Sequence, residues 1–209
     1  MTAIAVIAKA CLPGHAKTRL HPPYSLAQAA TIAQACVDDT LDLARALPAT
    51  RRILFHDGEL GATDASEFEV LDQPASGLDA RLGFLFDVVD EPLVLIGMDT
   101  PHVRAEAVLP AFADQPGVDA WLGLATDGGF WALAMRAPDG ALLRGVPMSQ
   151  DDTGALQLGR LREAGLAVRM LPEASDIDTA ADLAPAVADA PDGRLARVVA
   201  ELVPEGAAP

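Results

Sequence analysis

The sequence predicts an α/β protein built on a mostly parallel sheet with helices on both faces. Three observations carry this reading. Short continuous apolar runs, Ala3–Ala8 and Pro92–Gly97 above all, have the composition of strands buried on both faces. Stretches with helix start and stop signals alternate with them. Charged residues gather just after the runs, where open α/β sheets bind ligands.

Taken in order, Ala3–Ala8 is the first strand, followed by a loop holding Pro13-Gly14 and Pro22-Pro23. Ser25-Leu-Ala-Gln28 has the spacing of a capping box and opens an Ala-rich helix to about Ala46. Arg52–Phe55 and Phe68–Leu71 are weaker strand candidates, and Leu78–Val89 suits a helix. Pro92–Gly97 is the clearest second strand and runs into Met98-Asp99-Thr100-Pro101. Val103–Ala113 reads as helix, Ala120–Leu124 as strand, Thr126–Gly129 as turn and Phe130–Met135 as strand. Gln150–Ala164 is a helix closed by Gly165, and Ala167–Leu171 the last strand. Thr179-Ala-Ala-Asp182 repeats the capping-box spacing before a C-terminal helix. Ala184–Gly193 and the final Pro204–Pro209 read as tail-like. The expected division is one nucleotide-binding domain over residues 1–190, with a C-terminal helix or tail over 191–209.

Composition narrows the partners. Of 209 residues, 51% are hydrophobic, enough for a sizeable core, which excludes a disordered chain. A net charge of -15 repels nucleic-acid backbones and anionic membranes, so neither is an expected partner. No apolar run approaches the roughly 18 residues needed to span a bilayer. Cys11 and Cys36 are too few for a disulfide framework and suit a reducing compartment, so the expected location is cytoplasmic. The first residues lack a basic stretch and an Ala-x-Ala-like cleavage site.

Against this acidic background, Lys9-Ala-Cys-Leu-Pro13-Gly14-His-Ala-Lys17-Thr18-Arg19-Leu20 stands out. It concentrates three of the 15 Lys and Arg residues of the chain. A Gly-containing turn with free backbone N–H groups, flanked by cations, is what a phosphate chain requires. It is not a Walker A loop, because Ala16 and Cys11 stand where glycines are needed. The competing reading is a solvated basic loop. Asp99, at a strand end, could hold a hard divalent cation or simply cap the next helix. Asp176-Ile-Asp178-Thr179 would send both acids to the same side of an extended segment, with helix capping as the alternative. Asp127-Gly128-Gly129 would let backbone approach a nucleotide closely, or merely turn the chain. The histidines show no metal-ligand spacing, and Trp121 and Trp131 read as core.

Together these motifs resemble the DUF2064 family, called radical-SAM/selenodomain-associated transferase 1, within the nucleotide-diphospho-sugar transferase (GT-A fold) superfamily. The resemblance runs from about Ile4 to Leu183, and is weaker to 2-phospho-lactate guanylyltransferases. It implies a three-layer α/β/α sandwich with a mixed sheet and a nucleotide over the first loop. It also implies phosphate contacts by Lys17 and Arg19, and a metal, Mg²⁺ or Mn²⁺, on Asp99 and Asp178 with Asp176 beside them. The sequence departs from the family pattern at Ser76-Gly77-Leu78-Asp79-Ala80-Arg81, where only Leu78 and Arg81 fit. Met148 replaces a usual Trp and Phe130 a usual Tyr.

The function expected is therefore metal-dependent nucleotidyl transfer from an NTP to a phosphorylated or anionic small molecule. The catalytic candidates are Lys17, Arg19 and Asp99. The nucleotide-binding candidates are Lys9, Pro13, Gly14, Lys17, Thr18, Arg19, Arg81, Asp127, Gly128 and Gly129. Glycosyl transfer from an NDP-sugar is the enzymatic alternative, opposed by the missing first acid of Asp-x-Asp at Gly97-Met98-Asp99. Nucleotide binding without chemistry is the third reading, and the sequence leaves open a homodimer.

Overall fold

In a computed structural model, which describes residues 1–202, seven strands form one sheet between helical layers. The strands are β1 (Ala3–Lys9), β2 (Arg51–Asp57), β3 (Glu69–Asp72), β4 (Leu93–Gly97), β5 (Ala120–Leu124), β6 (Phe130–Met135) and β7 (Val168–Met170). Their order across the sheet is β3-β2-β1-β4-β6-β5-β7. β6 runs antiparallel to both of its neighbours, and every other pairing is parallel. The sheet is therefore mixed and mostly parallel, the α/β/α class expected.

The apolar run of β1 explains its central place. Ile4, Val6 and Ala8 face one core layer, Ala3 and Ala5 the other, and all five are essentially inaccessible. The first layer is covered by α1 (Leu26–Ala46), whose Ala33, Val37, Leu41 and Ala44 repeat at helical spacing. Ser25 caps α1 with Gln28 in the expected reciprocal box. The second layer is covered by α2 (Leu78–Val88) through Leu82, Leu85 and Phe86, and by α4 (Thr153–Glu163) through Leu161. Between these helices in sequence, α3 (Ala105–Val108) is a single turn.

A third cluster extends outward from α1. Leu20, Ile32 and Cys36 meet Ile177, Leu183 of α5 (Ala180–Asp189) and Leu195 of α6 (Arg194–Glu201). The tail-like reading of Ala184–Gly193 is thus corrected: Ala184–Asp189 continue α5, and Ala186 is buried in this cluster. The final Pro204–Pro209 lies outside the described residues. A helix over Val103–Ala113 is also corrected, to α3 followed by a 3-10 turn over Leu109–Phe112. Pro110 lacks the N–H that a continuing α-helix needs there. The helix expected from Gln150 starts at Thr153, whose hydroxyl accepts from Gln150 N and donates to Pro147 O. No helix among the described residues is long and apolar enough to cross a membrane.

Candidate active site

The parallel strands β1, β2 and β4 deliver their carboxyl ends to one rim, and β6, running the other way, delivers its first residue, Phe130, to the same rim. A cavity of about 440 Å³ opens there. Lys9, Asp57, Gln73 and Arg81 line it on the side of β1 to β3, Asp99 lies at the centre, and Asp127, Phe130, Met148 and Asp176 close the other side.

The first side is fixed by hydrogen bonds to backbone. Gln73 Nε2 donates to Ala8 O at 2.8 Å and Phe55 O at 2.9 Å, bridging the ends of β1 and β2. Its Oε1 accepts from Arg81 Nη1 at 3.0 Å, and the same nitrogen donates to Asp57 Oδ2 at 2.6 Å. Arg81 Nε donates to Ser76 O. Arg81, a nucleotide-binding candidate from the sequence, lines the cavity already paired with an acid.

Lys17 takes a left-handed conformation, φ 52°, at the start of a 3-10 turn over Thr18–Leu20. That turn buries its side chain, 4% exposed, where its ammonium meets both Asp99 and the carbonyl of Ile177. Burial works to lower the Lys17 pKa, but the Asp99 carboxylate outweighs it and holds the group above its ordinary value. Arg19 Nη2 lies 2.6 Å from Asp178 Oδ2 and stays largely exposed. Pro13, Gly14, Lys17, Thr18 and Arg19 do not line the cavity, though Lys17 touches it through Asp99. Asp99 does not cap the following helix, where Arg104 holds the N-cap position.

The acid side is made by turns. Asp127 Oδ1 accepts from Gly129 N at 2.8 Å, and Gly128 adopts φ 90°, which favours glycine. The neighbouring Thr126 N donates to Ala174 O, which joins this turn to the segment leading to Asp176. Ile177, fully buried, points away into the third cluster, so Asp176 and Asp178 face together as strand alternation requires. Asp182 then accepts from the N–H groups of Asp178 and Thr179 and fixes the second acid.

The outcome for the metal ligands is specific. One carboxylate oxygen from each of Asp127, Asp176 and Asp178 lies within 4.8 Å of the others. Asp99 is instead held by Lys17, so the acids brought together differ from the Asp99–Asp178 pair that the resemblance implies. Burial, and then the charges of Asp178 and Asp127, push the Asp176 carboxyl up to about 6. Three clustered carboxylates with one arginine partner form an oxygen-rich, negatively charged cradle that fits a hard divalent cation. Sequence reasoning missed this use of Asp127, and it missed Asp57 and Gln73. The signal was present, because both follow strand ends as Lys9 and Asp99 do.

The thiols take no part. Burial first pushes Cys36 to about 12 and Cys11 to about 11, so neither offers a thiolate near neutrality.

The fold recurs in solved structures. A putative nucleotide-diphospho-sugar transferase from Desulfovibrio desulfuricans G20 superposes with a TM-score of 0.74 at 26% identity, over 85% of this chain and 82% of that one. CMP:2-keto-3-deoxy-manno-octonic acid synthetase, complexed with CTP, gives 0.57 at 15% identity, over 96% and 99% of the two chains. Rv0371c from Mycobacterium tuberculosis H37Rv, in complex with manganese, gives 0.52 at 22% identity, over 90% and 97%. No curated protein matches. A family model covers residues 40–150, which include Arg81, Asp99 and Asp127 but neither Lys17 nor Asp178. Because that match spans more than half of the sequence, this chain belongs to DUF2064, a family of uncharacterized proteins conserved in bacteria.

Proposed function

We propose that the protein is a nucleotide-using transferase that moves a nucleotidyl group from an NTP to a small-molecule acceptor with the help of Mg²⁺ or Mn²⁺. One observation carries the reading: a single cavity has Lys9 of β1 and Arg81 of α2 on one side and, on the other, Asp127 and Asp176, two acids of a three-carboxylate cradle that Asp178 completes. In the proposed geometry the nucleotide lies over the end of β1, with Lys9 and Arg81 beside it. Lys17 and Arg19 add positive charge near the phosphates, Lys17 held in place by Asp99 and Arg19 by Asp178. A metal bound to Asp127, Asp176 and Asp178 would supply Lewis-acid neutralisation of phosphate oxygens. The acceptor oxygen forms a bond to the α-phosphorus as the α–β phosphoanhydride bond breaks. Pyrophosphate leaves and the acceptor proton passes to solvent. The protein contributes mainly position and charge.

Transfer from an NDP-sugar is a second reading, favoured by the likeness to the Desulfovibrio protein, which is named for that class. Thermal-shift titration with the four NTPs and common NDP-sugars, with and without Mg²⁺ or Mn²⁺, separates the two. A ligand at a hundredfold excess over its Kd adds about 2.7 kcal/mol of stability. A metal-dependent shift with one NTP, and pyrophosphate release on adding acceptor, is the expected result. A shift confined to NDP-sugars selects the second reading, and no shift with either class overturns both. Asp99→Asn should lose turnover while keeping its melting transition. Unchanged turnover in that variant refutes the role of Asp99.

A further inference from the structure

The two sides of the cavity differ in charge and polarity. Among the described residues, the only cationic side chains lining it are Lys9 and Arg81, both on the side of β1 and α2. Arg81 is paired with Asp57. Nearby, Lys17 is paired with Asp99 and Arg19 with Asp178. On the side of β6 and the loop before α4, the lining contains no lysine, arginine or histidine. It presents the half-buried Phe130 and Met148, both packed on the same core layer, with Asp127, Asp176 and the exposed Ser149 around them.

Charge arithmetic then limits what this side accepts. Three carboxylates against Arg19 leave two negative charges, which one divalent cation cancels. No positive charge is left over for an anionic acceptor, and the arriving nucleotide adds negative charge of its own. The basic loop taken alone points to a phosphorylated or anionic acceptor, but Lys17 and Arg19 are tied to Asp99 and Asp178, and Lys9 lies on the opposite side of the cavity, at the end of β1. What the wall does offer is an aromatic ring and a thioether for an apolar face, with carboxylate and hydroxyl oxygens for O–H donors.

We infer that the acceptor is an uncharged sugar or polyol, its C–H face seated on Phe130 and Met148 and its hydroxyls held by Asp127 and Ser149. This rests on the nucleotide-using transferase reading, and it holds for nucleotidyl and glycosyl transfer alike. A phosphorylated acceptor would bring a dianion to a wall that, with its cation bound, has no net positive charge to receive it, beside the like charge of the nucleotide phosphates.

Saturation-transfer NMR on the full chain with Mg²⁺ and each NTP tests it. The probes are methyl glycosides of glucose, mannose and galactose, set against the 6-phosphates of the same sugars. At least one neutral glycoside should receive saturation at least fivefold more strongly than its phosphate. Phe130→Ala should reduce that signal at least fivefold. Met148→Lys should reverse the preference toward the phosphate, and melting curves confirm that both variants fold. A wild-type preference for the phosphates, or binding of neither set, overturns the inference. An NTP-induced thermal shift recorded on the same samples keeps the outcomes apart. With that shift present, failure of the glycosides sinks only the acceptor class. With it absent, and with no shift by NDP-sugars either, the nucleotide reading itself falls.

Discussion

The parallel half of the sheet, β3-β2-β1-β4, and the half containing β6, β5 and β7 meet at one cavity but build their sides by different means. On the parallel side two cations arrive with their counter-ions, Arg81 with Asp57 and Lys17 with Asp99, and Lys9 stands beside them. Their positions follow from strand register and from Gln73 clamping two strand ends. On the other side turns place Asp127 and Asp176, and negative charge exceeds positive. The difference teaches that this cavity is prepared for an incoming cation on one side only. Its parallel side is balanced in advance.

The largest effect should come from removing what anchors the acid side. Ile177 is fully buried against α1 and α5, so Ile177→Ala should cost about 3 kcal/mol in urea unfolding. It should also weaken Mn²⁺ binding, measured calorimetrically, because Asp176 and Asp178 lose the residue that aims them. Unaltered Mn²⁺ affinity would mean that the two acids are positioned independently of the third cluster.

Next comes Gly128→Ala, for which about 2–3 kcal/mol is expected. The backbone sits at φ 90°, and an added Cβ would approach Asp151 O to 1.8 Å. Because the clash is with backbone of the segment leading into α4, hydrogen exchange should rise at residues 151–154 and leave β1 unchanged. Uniform exchange changes across the sheet would erase the distinction between the two halves.

On the balanced side, Lys17→Met should cost about 1–2 kcal/mol. Breaking a fully buried ion pair costs about 3–5 kcal/mol, but Asp99 is 51% exposed and can regain water. Metal binding should strengthen in this variant, since Asp99 becomes free to join the cradle. A weaker affinity for Mn²⁺ would contradict the assignment of Lys17 as the counter-ion of Asp99.

The smallest effect tests the seam between the halves. Asp79 accepts from Gly145 N, and Asp87 pairs with Arg144 and accepts from Gly140 N. The Gly145 N–H first, for Asp79, and the Arg144 guanidinium first, for Asp87, hold both carboxyls below their ordinary 3.8. A depressed folded-state value means stability that is present above pH 3.8 and lost as pH falls through the folded values. Asp87 is exposed and Asp79 half-buried at the surface, so Asp79→Asn with Asp87→Asn should cost less than about 1 kcal/mol at pH 7. The cost should vanish in strong acid, and a constant difference across pH would point to packing instead.

Much of the fold was legible because local signals and burial agree. The apolar run of β1 is central, the Ser25–Gln28 box opens α1, and Gly165 closes α4 at φ 84°. What escaped was tertiary. The order β4-β6-β5 places the later strand of the hairpin inside, which no local pattern encodes. Residues 184–189 look like tail because their neighbours in space, on α1, are more than a hundred residues away. At the site, Lys17, Asp99 and the Asp176–Asp178 pair were visible as charges after strand ends. Which acid each cation takes was not, because that depends on a left-handed Lys17 burying its own side chain. Asp57 and Gln73 obey the same strand-end rule but carry no unusual residue pattern.

The bond from Lys17 to the carbonyl of Ile177 spans 160 residues, and that span has a temporal meaning. A ribosome adding about 5–20 residues per second needs many seconds to travel from one partner to the other. Through that interval the emerging amino-terminal loop lacks the carbonyl, Asp178 and the acid pair that complete it. The rim of the cavity is therefore among the last parts of the molecule to close during synthesis, and a polypeptide released before Ile177 carries the sheet without the residues that complete that rim.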